Sequence, residues 1–391
     1  MNKHFIKLCT LILFLAIYVS CKQEVKENLA IKDSYTVSGT IKGLNTNFMT
    51  YSYEDETGKR IWDSIPVENE YFSHTQKISE PTFYFLWPNV ENTIKRTQSG
   101  GYYPVKSSQF VFLASPGDHI KFKGEVTDFI NAYPTGTKTN DDLASINAKV
   151  FPIMNKSVNY LLELELLEEN DPRRKMVQDS IETLDTQIID LKKDFLTSHP
   201  QSEAAAWYLS DMMLRSQISD EEAIIVFNNF DEQLQEYRYY KDVEARVKGI
   251  EATLIGKTIQ NFTTDATFTG DTFEFDSLKG KYVLIDFWGT WCGPCIEEMP
   301  KVKAYQEKYV DKLTILGVNQ GDTKDKIAKF ITPNNYTWTH LMDGKGDANF
   351  VFKFNVAGFP TKFIIDTEGK ILHRFVGNGE EAFTVLDELL K

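Results

Sequence analysis

The segment KYVLIDFWGTWCGPCIEEMP, residues 281–300, constrains the fold of this chain more than any other part of its sequence. It opens with an apolar, β-rich run at 282–287, the composition of a strand that is covered on both faces. Two cysteines, Cys292 and Cys295, follow a short break, and from Ile296 onward the residues favour a helix with acidic side chains in its first turns. The segment therefore predicts a buried strand, a turn and a helix that begins at the cysteine pair.

Two cysteines at C-x-x-C spacing on a helix start have a specific chemical use. Cys292 would lie among the unpaired N–H groups at the positive end of the helix dipole, which favours its thiolate over its thiol. A thiolate attacks a disulfide in a partner and forms a mixed disulfide, which Cys295, one helical turn away, can resolve. The pair therefore predicts thiol–disulfide exchange.

Two other uses of the cysteine pair fit the sequence less well. Zinc usually needs four ligands, but the chain has no second C-x-x-C pair, and His340 and His373 downstream show no ligand spacing. A purely structural bridge between such close residues would enclose almost no loop and would stabilise little. We therefore predict neither a metal site nor a cofactor.

The motif WCGPC, its upstream strand and the downstream segment GFPTKFIID occur in the same order as in the TlpA/ResA-type thiol–disulfide oxidoreductases, which are membrane-tethered and thioredoxin-like. The chain resembles this family from about residue 255 to its end. The resemblance implies a thioredoxin fold for 251–391, a mixed sheet flanked by helices. It also implies that Pro360 is a cis-proline opposite the cysteines, where it exposes the backbone of Phe359 to a substrate. The other interpretation of Pro360 is a plain turn proline before a strand.

Three more residues near the cysteines are candidates for function. Asp286 matches thioredoxin's buried aspartate; burial should raise its pKa, so that it could accept a proton from Cys295. Glu298 matches the family's active-site glutamate and could adjust the thiol pKa values or shape a partner-binding cleft. The alternatives are a partly exposed strand-end aspartate and a surface helix acid. Thioredoxin also has a lysine near its aspartate, and the strand Leu313–Asn319 has none. Trp291 is expected to be an exposed platform for a partner.

The N-terminus is a predicted signal peptide, residues 1–20. Positively charged lysines precede an apolar run at 8–19, which is too short to span a bilayer. The following Ser-Cys pair resembles the end of a lipoprotein signal, which implies cleavage before Cys21 and lipidation of its thiol. The alternative is an ordinary secretory signal with an incidental cysteine. With the lipoprotein signal, 21–33 is a lipidated tether, and the protein is a membrane-anchored lipoprotein of the cell envelope, on the periplasmic side.

Two further regions lie between the tether and the thioredoxin-like part. Residues 34–130 contain short alternating segments at the spacing of a β-sandwich or small barrel. They resemble a β-domain of unknown function that precedes thioredoxin-like modules in Bacteroidetes lipoproteins. Residues 131–250 have helical periodicity, including an apolar seam at 177–195. The predicted fold class is therefore multidomain α+β, with a sandwich- or barrel-like domain, a central helical region and a C-terminal thioredoxin fold.

The net charge of −13 argues against a nucleic-acid partner. The Gly-Pro dipeptide between the cysteines is that of thioredoxin, which is strongly reducing. We therefore hypothesise an envelope oxidoreductase that reduces disulfides of exported proteins, for example in cytochrome c maturation. Its partners would be disulfide-containing envelope proteins and a membrane electron donor. The alternatives are a binding lipoprotein whose β-domain holds a glycan or peptide, and a disulfide oxidase or isomerase.

Overall fold

The computed structural model describes residues 33–54, 60–344, 346–377 and 379–391. The predicted signal peptide, the lipidation site Cys21 and nearly all of the tether lie outside these residues. Within the described residues, every helix is too short or too polar to cross a bilayer.

The N-terminal part of the described chain is built from strands. They are β1 (Ser34–Thr40), β2 (Phe48–Glu54), β3 (Arg60–Glu68), β4 (Tyr71–Lys77), β5 (Thr82–Trp87), β6 (Lys95–Arg96), β7 (Tyr102–Tyr103), β8 (Phe110–Ala114), β9 (His119–Val126) and β10 (Ile130–Thr135). Eight of them form one sheet in the order β10-β9-β1-β4-β3-β2-β5-β8, while β6 and β7 pair separately. Among the described strands of this sheet, only β1 and β9 run parallel to each other.

This first sheet is nearly closed, because its edge strands β8 and β10 come close together. Alternate residues of its strands point inward, as the period of two requires, and aromatic rings fill much of the interior. The buried rings are those of Tyr35, Tyr51, Phe72, Tyr84, Phe110, Phe112 and Phe122. The barrel-like prediction for this region is therefore confirmed.

The predicted boundary at residue 131 is wrong, because the sheet continues past it. Strand β10 pairs antiparallel with β9 up to Thr135, and the first helix begins only after Thr137. Pro134 obscured this strand in the sequence. A proline cannot donate to a ladder, but it is tolerated on an edge strand, and β10 is an edge of the sheet.

The central region consists of helices α1 (Lys138–Leu166), α2 (Arg173–Ser198), α3 (Glu203–Leu214), α4 (Asp220–Asn228) and α5 (Arg238–Ala252). Helix α3 is almost wholly buried, since alanines and large apolar side chains cover most of its surface. The helices also pack on the first sheet: the ring of Phe83 stacks on Trp207 with centroids 3.8 Å apart. The sheet and the helices therefore share one apolar interface.

The C-terminal part has the thioredoxin fold. Its main elements are β13 (Tyr282–Trp288), α6 (Gly293–Lys308), β14 (Leu313–Asn319), α7 (Lys324–Asn334), β15 (Thr339–Met342), α8 (Phe350–Lys353), β16 (Thr361–Ile365), β17 (Ile371–Val376) and α9 (Glu380–Leu389), preceded by the short strands β11 (Thr263–Thr264) and β12 (Phe273–Glu274). The order β15-β14-β13-β16-β17 is parallel on one side of β13 and antiparallel on the other. Apolar clusters cover both faces, as the predicted mixed sheet requires.

Asn140 joins the open edge of β8 to helix α1. Its amide oxygen accepts a hydrogen bond from the backbone N–H of Leu113 at 3.1 Å, and its amide nitrogen donates to the carbonyl of Leu113 at 2.7 Å. The side chain is fully buried, so it substitutes for a neighbouring strand where water cannot reach.

We expect Asn140→Ala to lower the free energy of unfolding by about 1–3 kcal/mol, because it leaves two buried backbone groups without partners. Urea unfolding followed by circular dichroism measures the change. Asp141→Ala is the control, since that neighbouring side chain is exposed. Equal destabilisation by the two variants would contradict this role for Asn140.

Candidate active site

The cysteines lie where β13 leads into α6. Cys292 is the N-cap residue of α6, its Sγ accepts a hydrogen bond from the backbone N–H of Cys295 at 3.3 Å, and the two residues form a disulfide. Pro294 in the first turn suits a helix start, since its missing N–H would have no partner there. In the reduced form, a sulfur at this position faces free N–H groups and the positive dipole end, which stabilise a thiolate.

Trp291 and the proline loop flank the disulfide. The indole of Trp291 is 52% exposed, its Nε1 donates to the carbonyl of Gln320 at 2.9 Å, and its ring meets Phe359 edge-on at 5.1 Å. The peptide bond from Phe359 to Pro360 is cis. Among the described residues, the backbone N–H and C=O of Phe359 have no hydrogen-bond partner. An extended peptide could therefore pair with them.

An open cavity of about 470 Å³ adjoins this loop. Its lining combines apolar groups from the loop and the helix start with charged side chains of α6 and α9. The lining residues are Pro294, Glu297, Glu298, Lys301, Phe359, Pro360, Gly377 and Glu380. Phe359 and Pro360, which the sequence analysis predicts to bind substrate, are part of this lining.

A buried ion network lies next to the motif helix. The ammonium of Lys362 is 2.9 Å from Oδ1 of Asp286 and donates to Oε2 of Glu298 at 2.6 Å. The other carboxylate oxygen of Glu298 accepts the backbone N–H of Gly379 at 2.6 Å. Asp286 and Lys362 are directly opposite each other in the antiparallel pair of β13 and β16. Asp286 is therefore not an exposed strand-end residue, and Glu298 is not a free surface acid.

Burial raises the pKa of Asp286 above its ordinary value, Lys362 opposes that rise and the charge of Glu298 adds to it. Burial alone would lower the pKa of Lys362, but its two carboxylate neighbours raise it above the usual lysine value. The lysine therefore stays charged at neutral pH. The aspartate is more easily protonated than an exposed one, which is the property that a proton acceptor near a thiol needs.

Asp322 holds the turn before the cysteines. Its carboxylate accepts hydrogen bonds from the backbone N–H of Thr290 at 2.7 Å and from the Thr290 hydroxyl at 2.6 Å. Lys326 and Asn319 contact the same carboxylate. Burial alone would raise the pKa of Asp322, but these hydrogen bonds together lower it. An ionised carboxylate therefore fixes the loop that carries Trp291.

Comparisons with known proteins agree with this geometry. A Redoxin family model matches residues 254–390, and a model described as a domain of unknown function (DUF4369) matches 35–143. The thiol-disulfide oxidoreductase ResA of Bacillus anthracis is 33% identical over 128 residues, which are 32% of this chain and 72% of that protein. The chain belongs to the ResA-type thiol–disulfide oxidoreductases.

Matches to other proteins span a similar share of this ResA-type chain. ResA of Bacillus subtilis (strain 168) is 31% identical over 147 residues, or 37% of this chain and 79% of that relative. The thioredoxin-like protein YneN of the same strain is 35% identical over 114 residues, and the match spans 28% of this chain and 65% of YneN. The thioredoxin domain of a thiol-disulfide oxidoreductase from Bacteroides vulgatus has 25% identity and a TM-score of 0.32, covering 35% of this chain and 99% of its own.

Two residues of this ResA-type site were not predicted, namely Lys362 and Asp322. The signal for Lys362 was a lysine in the largely apolar strand β16, two residues after Pro360. It becomes informative only when the register places it opposite Asp286. The predicted lipidation site, Cys21, lies outside the described residues.

We expect Lys362→Met to lower the free energy of unfolding by about 3–5 kcal/mol at neutral pH, because it leaves two carboxylates facing each other without a cation. The same change raises the pKa of Asp286 further. A carboxyl whose pKa is higher in the folded than in the unfolded state destabilises the fold as the pH rises from the unfolded to the folded pKa. The loss of unfolding free energy in Lys362→Met should therefore be smaller at acid pH than at neutral pH. Urea titrations at several pH values measure it.

Lys301→Met is the matched control, because Lys301 pairs with Glu380 at 2.6 Å on an exposed surface. Its effect should stay within about 1 kcal/mol. A loss for Lys362→Met that is no larger, or that does not depend on pH, would contradict the buried network.

Proposed function

We propose that this oxidoreductase reduces disulfides of exported proteins in the cell envelope. The Cys292–Cys295 disulfide carries the proposal, because it lies at a helix N-terminus beside a cis-proline loop whose backbone is free to pair with a substrate. The proposed substrates are proteins that present a disulfide to Cys292 and a neighbouring extended segment to the cis-proline loop. The apo-forms of c-type cytochromes are one class, which the family resemblance suggests.

The reaction begins with the reduced cysteine pair. The Cys292 thiolate attacks one sulfur of the substrate disulfide, the substrate S–S bond breaks, and the departing thiolate takes up a proton. Cys295 then attacks Sγ of Cys292 in the mixed disulfide and releases the second substrate thiolate. The Cys292–Cys295 disulfide forms, so that two electrons have passed to the substrate. A dithiol donor at the membrane restores the pair.

The ion network supports the second step. Cys295 must lose its proton before it attacks, and Asp286 is the proposed acceptor because its pKa is raised. Glu298 lies on α6 one turn after Cys295, so it links the network to the helix that carries both cysteines. Trp291, Phe359 and Pro360 are the proposed substrate-binding residues, since they border the disulfide and include the unpaired backbone.

We propose reduction as the direction because the Gly-Pro dipeptide is that of thioredoxin, whose pair has a potential of about −270 mV against about −120 mV for DsbA. Equilibration of the Cys292–Cys295 pair with glutathione tests this direction. A strongly oxidising pair would instead support an oxidase or isomerase.

We expect Cys292→Ser to abolish insulin reduction and Cys295→Ser to accumulate mixed disulfides with its substrates, because the first variant lacks the attacking sulfur and the second lacks the resolving one. Turbidity assays measure insulin reduction, and non-reducing gels of envelope extracts reveal the trapped partners. Turnover by Cys292→Ser at the wild-type rate would refute the proposed chemistry. The double variant, which should trap nothing, controls for adventitious bridges.

We also propose that Cys21 is acylated and anchors the protein to the periplasmic side of a membrane. The full-length protein should therefore enter the detergent phase in a phase-partitioning experiment, whereas Cys21→Ser should remain in the aqueous phase, because it cannot carry the acyl chains. Cys9→Ser is the control: Cys9 lies within the predicted signal peptide, which is removed, so this variant should partition like the wild type. Equal partitioning of all three proteins would contradict acylation at Cys21.

A further inference from the structure

We propose that helices α4 and α5 of the central region position the cis-proline loop, so that the N-terminal regions control recognition of protein disulfides rather than the sulfur chemistry. This inference rests on the proposed function. The contacts converge on residues 350–358, the segment that leads into the loop, and they are made by or to Gly249, Arg246 and Asn355.

Helix α5 touches this segment backbone to backbone. A methyl group added to Gly249 would lie 2.1 Å from the carbonyl oxygen of Phe352 and 3.0 Å from that of Lys353. Such close approach is possible only for glycine, because any side chain would force α5 and α8 apart. At Gly249, α5 and α8 are therefore so close that no side-chain atom fits between them.

Arg246 contacts the same segment from one turn earlier in α5. Its side chain is fully buried, its guanidinium lies 4.2 Å from the ring centre of Phe352, and Nη1 donates a long hydrogen bond, 3.5 Å, to the carbonyl of Val356. Its Nε and Nη2 have no partner among the described residues. Arg246 therefore contacts the segment on both sides of Asn355, at Phe352 and at Val356.

Asn355 is held from two directions. Its backbone is in the left-handed region with φ 48°, and its carbonyl accepts a hydrogen bond from Arg374 of β17 at 2.6 Å. Its side chain donates to Asp220, in the first turn of α4, at 3.3 Å. Two arginines thus bind consecutive carbonyls, Asn355 and Val356, and only one of these arginines belongs to the thioredoxin-like module.

The contacts at Asn355 and Val356 lie close to the proposed pairing site, and this determines what they can affect. Only Ala357 and Gly358 separate Val356 from Phe359, whose free backbone is the proposed pairing site. The cysteines, by contrast, are held by α6 and by Asp322 within the module. A displacement of α8 would therefore misalign a paired peptide while leaving the thiolate and its resolving partner in place.

The test uses the full chain and two substrates. Insulin presents an extended segment to the loop, whereas hydroxyethyl disulfide is too small to pair with Phe359. Gly249→Ala must shift α8 by about 1 Å, a misplacement that can cost up to about a hundredfold in rate. We expect kcat/KM for insulin to fall at least about tenfold through a higher KM, while the rate with hydroxyethyl disulfide changes less than about twofold.

Arg246→Lys is the second variant and decides the test if Gly249→Ala does not fold, as judged by circular dichroism. It keeps the charge but loses the planar group that stacks on Phe352, so the same selective loss is expected. Lys248→Ala is the control, because that side chain is exposed on the same helix.

Several outcomes would overturn the inference. These are unchanged rates with both substrates in a folded variant, equal losses with both, and a selective loss in the Lys248→Ala control. Failure of the proposed function has a different signature, because Cys292→Ser would then retain reduction of both substrates whatever the helix variants do.

Discussion

The ammonium of Lys362 between two carboxylates is the interaction on which the geometry of the site depends. It ties together β13 through Asp286, β16 through its own backbone and α6 through Glu298. These are the strand before the cysteines, the strand after the cis-proline and the helix that carries both sulfurs. Because unpaired charges cannot stay buried, none of the three elements can move away without exposing a charge or leaving it without a partner.

The network also affects the pKa of Asp286, the proposed proton acceptor. A buried aspartate without a cation would remain protonated at neutral pH, and one that contacts a single lysine would have its pKa lowered strongly. Here burial is the largest influence on Asp286, Lys362 only partly offsets it, and the charge of Glu298 adds to the rise, so the pKa of Asp286 remains raised. Burial thus sets the direction of the shift, and Lys362 limits it.

The local part of this site could be predicted from the sequence, because each step involved neighbours in the chain. The apolar run, the cysteine spacing and the helix after them required no knowledge of distant contacts. Lys362 was missed for the opposite reason: it meets Asp286 only through the register of two strands that lie far apart in sequence. Strand β14, the next strand along the chain, has no lysine, and the lysine that meets Asp286 comes from β16 instead. The misplaced boundary at residue 131 has a related cause, since a proline on an edge strand reveals itself only when the neighbouring strands are known.

The relationship between the regions follows from where their contacts lie. The sheet packs on the central helices through Phe83 and Trp207, and the central helices pack on the module through Gly249 and Arg246. These contacts reach the segment before the cis-proline, but the disulfide itself is surrounded by residues of the module alone. A module that covers about a third of the chain therefore surrounds the disulfide. What the rest of the chain can change is the position of the loop on which a substrate segment is proposed to pair. Arg246 of α5 contacts the segment before that loop at Phe352 and Val356.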